Sequence, residues 1–215
     1  MQSQWVLASS NPGKLKEFAH GLAPFLSAHN LVLINQSTLG IESAEEPFLS
    51  FQENAVAKAQ HAAKASGLPA LADDSGLCVD ALAGAPGVRS ARFYSDAIAA
   101  GQVELEGLER LSKDEANLRW LLHLMSGQTN RSAYFCAAIA FVRHANDPDP
   151  IVVTGLWHGQ IALTPRGAQG FGYDPIFIDA ASGIYAAELS LAQKQTVSHR
   201  GIALRELLKR LSSTT

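Results

Sequence analysis

The chain has 215 residues, 47% hydrophobic and 17% charged, with a net charge of -3 and a pI of about 6.1. That length holds one domain with a sizeable core, or a domain with a lobe, and the composition excludes a disordered chain. It also excludes a basic footprint for nucleic acid, and no apolar run is long enough to span a membrane. Met1-Gln2-Ser3-Gln4-Trp5 lacks the basic and apolar regions of a signal peptide. Cys78 and Cys136 lie in apolar alternating runs and read as buried free thiols of a cytosolic protein.

Trp5 to Ala8 predicts a strand, and Leu15, Phe18, Ala19 and Leu22 mark one face of a following helix. Asn11 is a good N-cap and Pro12 fits the first helical position. The junction Ser9 to Lys14 therefore points backbone N–H groups outward at a helix N-terminus, a natural anion site. Lys14 in the first turn opposes the helix dipole, a conflict that an arriving phosphate would resolve. The plainer alternative is a capped helix with an exposed lysine. The segment is not a Walker A loop, because Ala8 and Leu15 stand where Gly and Ser/Thr belong.

Leu31 to Ile34 predicts a short buried strand. The loop Asn35 to Pro47 carries Glu42, Glu45 and Glu46, either a solvated run or a further source of carboxylates. Ser50-Phe51-Gln52-Glu53 reads as a capping box opening a helix to about Ser66, which Gly67 and Pro69 end. Its apolar face is Phe51, Ala55, Ala59 and Ala62, while Asn54 and Lys58 share another face without an obvious structural reason.

A short apolar run from Leu68 to Ala72 then enters Asp73-Asp74-Ser75-Gly76, and an alternating run follows from Leu77 to Leu82. A strand ending in those residues places acids and a hydroxyl at a strand terminus, where α/β folds bind ligands. Paired carboxylates there suit Mg²⁺, which takes oxygen ligands. A solvated turn is the alternative, since Asp, Ser and Gly all favour turns.

Ala83 to Val88 is a Gly- and Pro-rich loop. Tyr94 to Leu124 reads as mostly helical, a peripheral lobe with Leu105, Leu108, Leu111, Leu118, Leu121, Leu122 and Met125 as core. Ser132 to Arg143 and Ile151 to Leu163 predict a hairpin. Gly170-Phe171-Gly172-Tyr173-Asp174-Pro175 suggests contorted backbone with aromatics available for stacking on a flat ligand, or a glycine-rich strand entry. A short helix spans Glu188 to Gln195, and Ser198 caps a last helix whose apolar face is Ile202, Leu204, Leu207, Leu208 and Leu211. His199 and Arg200 again put cations in a first turn, as Lys14 does.

Together these stretches resemble the inosine triphosphate pyrophosphatase family. The resemblance rests on Ala8 to Lys14, Phe51 to Ala55, Ala72 to Leu77, Gly84 to Arg92, Phe171 to Phe177 and Ser198 to Gly201, which run in family order along essentially the whole chain. It implies one α/β domain, 1–215: an elongated mixed β-sheet flanked by helices, two lobes and a central nucleotide cleft. It implies Mg²⁺-dependent hydrolysis of ITP, dITP and XTP to the monophosphate and pyrophosphate, in a cytoplasmic homodimer that binds neither nucleic acid nor membrane. Carried over, Asp74 is the general base and binds the metal with Glu45. Ser9, Ser10, Asn11, Pro12, Gly13 and Lys14 hold the phosphates with Ser75. Phe171, Gly172, Tyr173, Asp174, Lys194, His199 and Arg200 surround the base and the rest of the nucleotide. Asp73 is left between direct metal ligation and a supporting role. The chain departs from the family in Gln193-Lys194-Gln195, where Glu-Lys-Asn is frequent, and in a longer Tyr94 to Lys113 region. A Maf-like pyrophosphatase would lack the Phe171 and Ser198 motifs, and a non-hydrolytic nucleotide-binding regulator would have no need of a base beside a metal.

Overall fold

Period-2 alternation in the first strands decides how the helices are arranged. The structure, a computed structural model, describes residues 3–102 and 107–213. Its strands are β1 (Ser3–Ala8), β2 (Leu31–Asn35), β3 (Ala70–Val79), β4 (Ser132–Val142), β5 (Ile151–Ile161) and β6 (Phe177–Asp179), in sheet order β2-β1-β3-β4-β5-β6. β1 pairs in parallel with β2 and β3, and β5 with β6 antiparallel, so the sheet is mixed. The helices are α1 (Pro12–Ala28), α2 (Phe51–Ser66), α3 (Phe93–Ala99), α4 (Lys113–Leu124), α5 (Leu191–Val197) and α6 (His199–Ser213). This is the expected α/β class.

The chain divides into two compact units. The first comprises Met1–Asp74, Cys136–Leu156 and Gln195–Thr215. In it, side chains alternate by size as well as by side. Val6, Ala8, Ala70, Ala72, Ala138 and Ala140 form one cluster with Ala55, Ala59 and Ala62 of α2. Leu7, Leu71 and Ile139, the residues between them, join Phe18 and Leu22 of α1 and Leu204 and Leu207 of α6. Adjacent strand residues point to opposite faces, so the small-residue face lies under α2 and the large-residue face under α1 and α6. Each fully buried Leu or Phe contributes about 1.5–3 kcal/mol and a buried methyl only about 0.8 kcal/mol, so the second cluster carries most of the hydrophobic stabilisation. The alanine face instead lets α2 approach the sheet closely. Ala19, expected on the buried face of α1, is exposed.

Close approach recurs at Gly155 on β5. A Cβ there would lie 2.1 Å from the His199 carbonyl oxygen and 2.7 Å from the Ala203 nitrogen of α6. Gly155→Ala is therefore expected to destabilise the protein by about 1–3 kcal/mol through overpacking, read as a lowered urea midpoint.

The second unit comprises Ser75–Phe135 and Trp157–Lys194. Its core joins Tyr94 and Ala97 of α3 to Leu108 and to Ala116 and Trp120 of α4. Leu118, Leu121 and Met125 are buried as expected, and Leu105 lies outside the described residues. The region is not one helical run. Gly101 and Gly107 both take positive φ, which ends α3 and separates it from the single turn Leu108–Arg110 and from α4. Cys78 and Cys136 are buried thiols.

One expectation is overturned here. The strand does not end at Asp73-Asp74-Ser75-Gly76, because β3 runs unbroken from Ala70 to Val79. Gly76 serves packing, not a turn: a Cβ on it would lie 2.2 Å from the Gly87 carbonyl oxygen. The next residue, Leu77, donates its N–H to Ser90 Oγ at 2.9 Å.

Candidate active site

Since β3 is continuous, its two aspartates cannot share one environment. Asp73 follows Leu71 onto the face covered by α1 and α6, and Asp74 follows Ala72 onto the face covered by α2. Both are buried, at 1% and 4% exposure.

Asp73 accepts from two cations. Lys14 Nζ of α1 lies 2.6 Å from Asp73 Oδ2, and Arg200 Nη2 of α6 lies 3.2 Å from the same oxygen. Arg200 Nη1 also donates to Glu17 Oε2 of α1. Burial alone would raise the Asp73 pKa, but Arg200 and Lys14 outweigh it and hold the carboxyl well below the usual range. Burial conversely pushes the Lys14 ammonium below an ordinary lysine, although Asp73 opposes the shift. The cations that seemed misplaced in the first turns of α1 and α6 thus have carboxylate partners within the protein. Glu17 was not foreseen. Its signal in the sequence was an acid one helical turn from Lys14 and beside Phe18, on the buried face.

Asp74 has different neighbours, and they account for Asn54 and Lys58. Asn54 Nδ2 donates to Asp74 Oδ2 at 3.0 Å and also to the Phe48 carbonyl at 3.1 Å. Lys58 Nζ lies 3.7 Å from Asp74 Oδ1 and donates to the Asp73 carbonyl at 2.9 Å and to Glu46 Oε1 at 2.7 Å. Burial raises the Asp74 pKa to about 6, with Glu46 adding to it and Lys58 and Lys14 opposing. A carboxylate held near neutrality is suited to accept a proton. Glu45 is exposed, and the loop carboxylate that the contacts tie to Lys58 is Glu46.

At the start of α1 the cap is as expected. Asn11 Oδ1 accepts from the N–H groups of Gly13 at 2.8 Å and Lys14 at 3.2 Å, and the Asn11 N–H donates to Ser9 Oγ at 3.3 Å. These N–H groups already have acceptors, so a phosphate would meet a formed loop and the Lys14 side chain. Ser9 is buried, Ser10 and Pro12 are exposed, and Ser75 is half-buried. His199 is buried in the first turn of α6, whose Ser198 Oγ accepts from the Gly201 N–H at 3.2 Å.

In the second unit, Asp174 Oδ2 accepts from Lys194 Nζ at 2.6 Å and from the Phe171 N–H at 2.9 Å. A Cβ on Gly170 would lie 2.0 Å from that oxygen, which explains this glycine. Gly172, at φ +62°, donates its N–H to Asp114 Oδ2 at 2.8 Å, and Tyr173 Oη donates to the Ser90 carbonyl at 2.8 Å. Lys194 Nζ sits 5.5 Å from the centre of the half-buried Phe171 ring. A cavity of about 460 Å³ opens between α4 and this loop, lined by Ser112, Asp114, Leu118, Phe171 and Gly172.

The Ham1 family matches residues 5–210. The chain belongs to the Ham1 family. This bears out its resemblance to inosine triphosphate pyrophosphatases. Among Ham1 relatives, the dITP/XTP pyrophosphatase of Burkholderia pseudomallei is 49% identical over 98% of this chain and 94% of its own length. That of Yersinia pseudotuberculosis is 50% identical over 96% of each. A Ham1 protein from Coxiella burnetii, at 39% identity, superposes with a TM-score of 0.82 over 98% of this chain and 99% of its own. The Staphylococcus aureus Ham1 protein, at 34% identity, gives 0.79 over 99% and 100%.

Proposed function

We propose that the chain hydrolyses ITP, dITP and XTP to the nucleoside monophosphate and pyrophosphate with Mg²⁺, clearing them from the nucleotide pool. It is a nucleoside triphosphate pyrophosphatase, a hydrolase of phosphoric anhydrides acting on non-standard nucleoside triphosphates. The observation that carries the mechanism is Asp74, a buried carboxylate raised to about 6 with Lys58 and Asn54 fixing it.

The donor set suits a hard cation. Among the described residues there is no cluster of three or more His, Cys, Asp or Glu that would form a cage. Asp74 with the loop acids Glu45 and Glu46 offers oxygens alone, and the mutual repulsion of Asp74 and Glu46 is what a cation relieves. Mg²⁺ bound there neutralises triphosphate charge. Asp74 takes the proton from water as the water oxygen bonds to the α-phosphorus and the bond to the bridging oxygen breaks. Lys14, with the Ser9 to Gly13 loop and Ser75, takes the phosphates, and Lys58 holds Asp74 oriented. Phe171 to Asp174, Lys194 and His199 serve the base and the rest of the nucleotide. Hypoxanthine and xanthine present an oxygen at carbon six, which N–H donors pair with, whereas adenine presents an amino group. The same reading carries a homodimer working in the cytoplasm.

The test is product analysis with ITP, XTP, GTP and ATP plus Mg²⁺. Pyrophosphate from ITP and XTP is expected, with kcat/KM for ATP lower by at least about 100-fold. Orthophosphate as the product would overturn α-attack, and equal turnover of ATP would overturn the donor-based selection.

A further inference from the structure

Four charged side chains form one connected group across α1, β3 and α6. Arg200 joins Glu17 to Asp73, and Asp73 Oδ2 joins Arg200 to Lys14. Side-chain exposure falls from 16% for Lys14 to 7% for Glu17, 2% for Arg200 and 0% for Asp73. The group contains two carboxylates and two cations and is neutral. Such a buried set is a poor stability device, because desolvating four ions offsets much of their attraction. It is a good positioning device. A free lysine carries rotamer entropy that a ligand must otherwise overcome, and a pre-placed ammonium avoids that cost.

We propose that Glu17 and Arg200 are positioning residues that fix Asp73 Oδ2 and, through it, set the Lys14 ammonium for the triphosphate. This rests on the reading of Lys14 as a phosphate ligand. Arg200 is too buried to reach solvent and its terminal nitrogens face two carboxylates, so it acts through Asp73. It also satisfies part of the charge on Asp73. Lys14, with three donors, then gives one to Asp73 and keeps others for phosphate oxygens. With Arg200 weakened, Asp73 competes with the substrate for Lys14. Lysine at 200 keeps the charge but lacks the planar fork that spans two acids.

The test is a double-mutant cycle with ITP as the probe, together with melting temperatures. Arg200→Lys is expected to raise KM by about tenfold while kcat changes less than about threefold. In a Lys14→Met background, Arg200→Lys should add less than about twofold, because its route of action is gone. Glu17→Gln, which keeps the shape of the side chain, should give the same pattern at about threefold. Arg205→Gln is the control. Arg205 lies on the same helix and donates to the Gln195 and Thr196 carbonyls, so its loss should lower the melting temperature and leave KM unchanged. The proposal is overturned if Arg200→Lys and Glu17→Gln leave KM unchanged, or if their effects persist in full without Lys14. An unchanged KM in Lys14→Met alone would instead overturn the phosphate reading of Lys14.

Discussion

Asp74→Asn is expected to lower turnover of ITP by about 10²–10⁴-fold, the range for loss of a positioned base, and to stabilise the metal-free protein at the same time. The second effect follows from the sign of the shift. The Asp74 pKa is raised to about 6 from an ordinary 3.8, so the folded state binds a proton that the unfolded state has released. Ionised Asp74 therefore costs stability above about pH 6, and the cost disappears below about pH 4. Asparagine removes it. The gain at pH 8 is on the order of 2–3 kcal/mol, or roughly 5–10 °C, and should shrink to below about 1 kcal/mol at pH 4. Thermal melts in chelator at both values check this. The same group predicts that wild-type kcat/KM rises with pH through a midpoint below about 6 when Mg²⁺ is held at Asp74, because a cation favours the ionised carboxylate and the base must be unprotonated in the free enzyme.

Its neighbour should behave in the opposite way. Asp73→Ala removes the carboxylate shared by Lys14 and Arg200 and leaves the buried Arg200 and the partly buried Lys14 with only Glu17 among these acids. Breaking a buried pair on one side costs about 3–5 kcal/mol, which for a chain of this size lowers the melting temperature by roughly 10 °C. Here the folded pKa lies below the unfolded one. The contribution is thus complete above the ordinary carboxylate range and is lost as pH falls beneath it. Two adjacent aspartates with opposite effects on stability at pH 8 are the mark of a strand that sends them to opposite faces. Melts of both variants at pH 8 decide it.

Much of the scaffold was legible because local rules and tertiary context agree. Asn11, Ser50 and Ser198 cap their helices where the sequence placed them. The apolar periodicities of α2 and α6 face the core. The alternation that sorts Ala70 and Ala72 from Leu71 was also in the sequence, and carried two residues further it separates Asp73 from Asp74. Reading Ser75-Gly76 as a turn hid this. Gly76 looks like a chain reversal by composition, but the room it makes is for the Gly87 carbonyl, a neighbour visible only in the fold. The partners of Lys14 and Arg200 were hidden for a similar reason. A cation at a helix N-terminus signals a need for negative charge, and only the packing shows that Asp73 and Glu17 supply it. In the acidic loop, sequence cannot tell which of two consecutive glutamates turns inward. The contact with Lys58 picks out Glu46.

The central claim is that water, activated by Asp74, attacks the α-phosphorus of a non-standard nucleoside triphosphate. Hydrolysis of ITP in heavy-oxygen water, followed by mass spectrometry of both products, tests it most directly. The account predicts that the label enters the monophosphate and that pyrophosphate carries none. Label in pyrophosphate, or in orthophosphate, would contradict it.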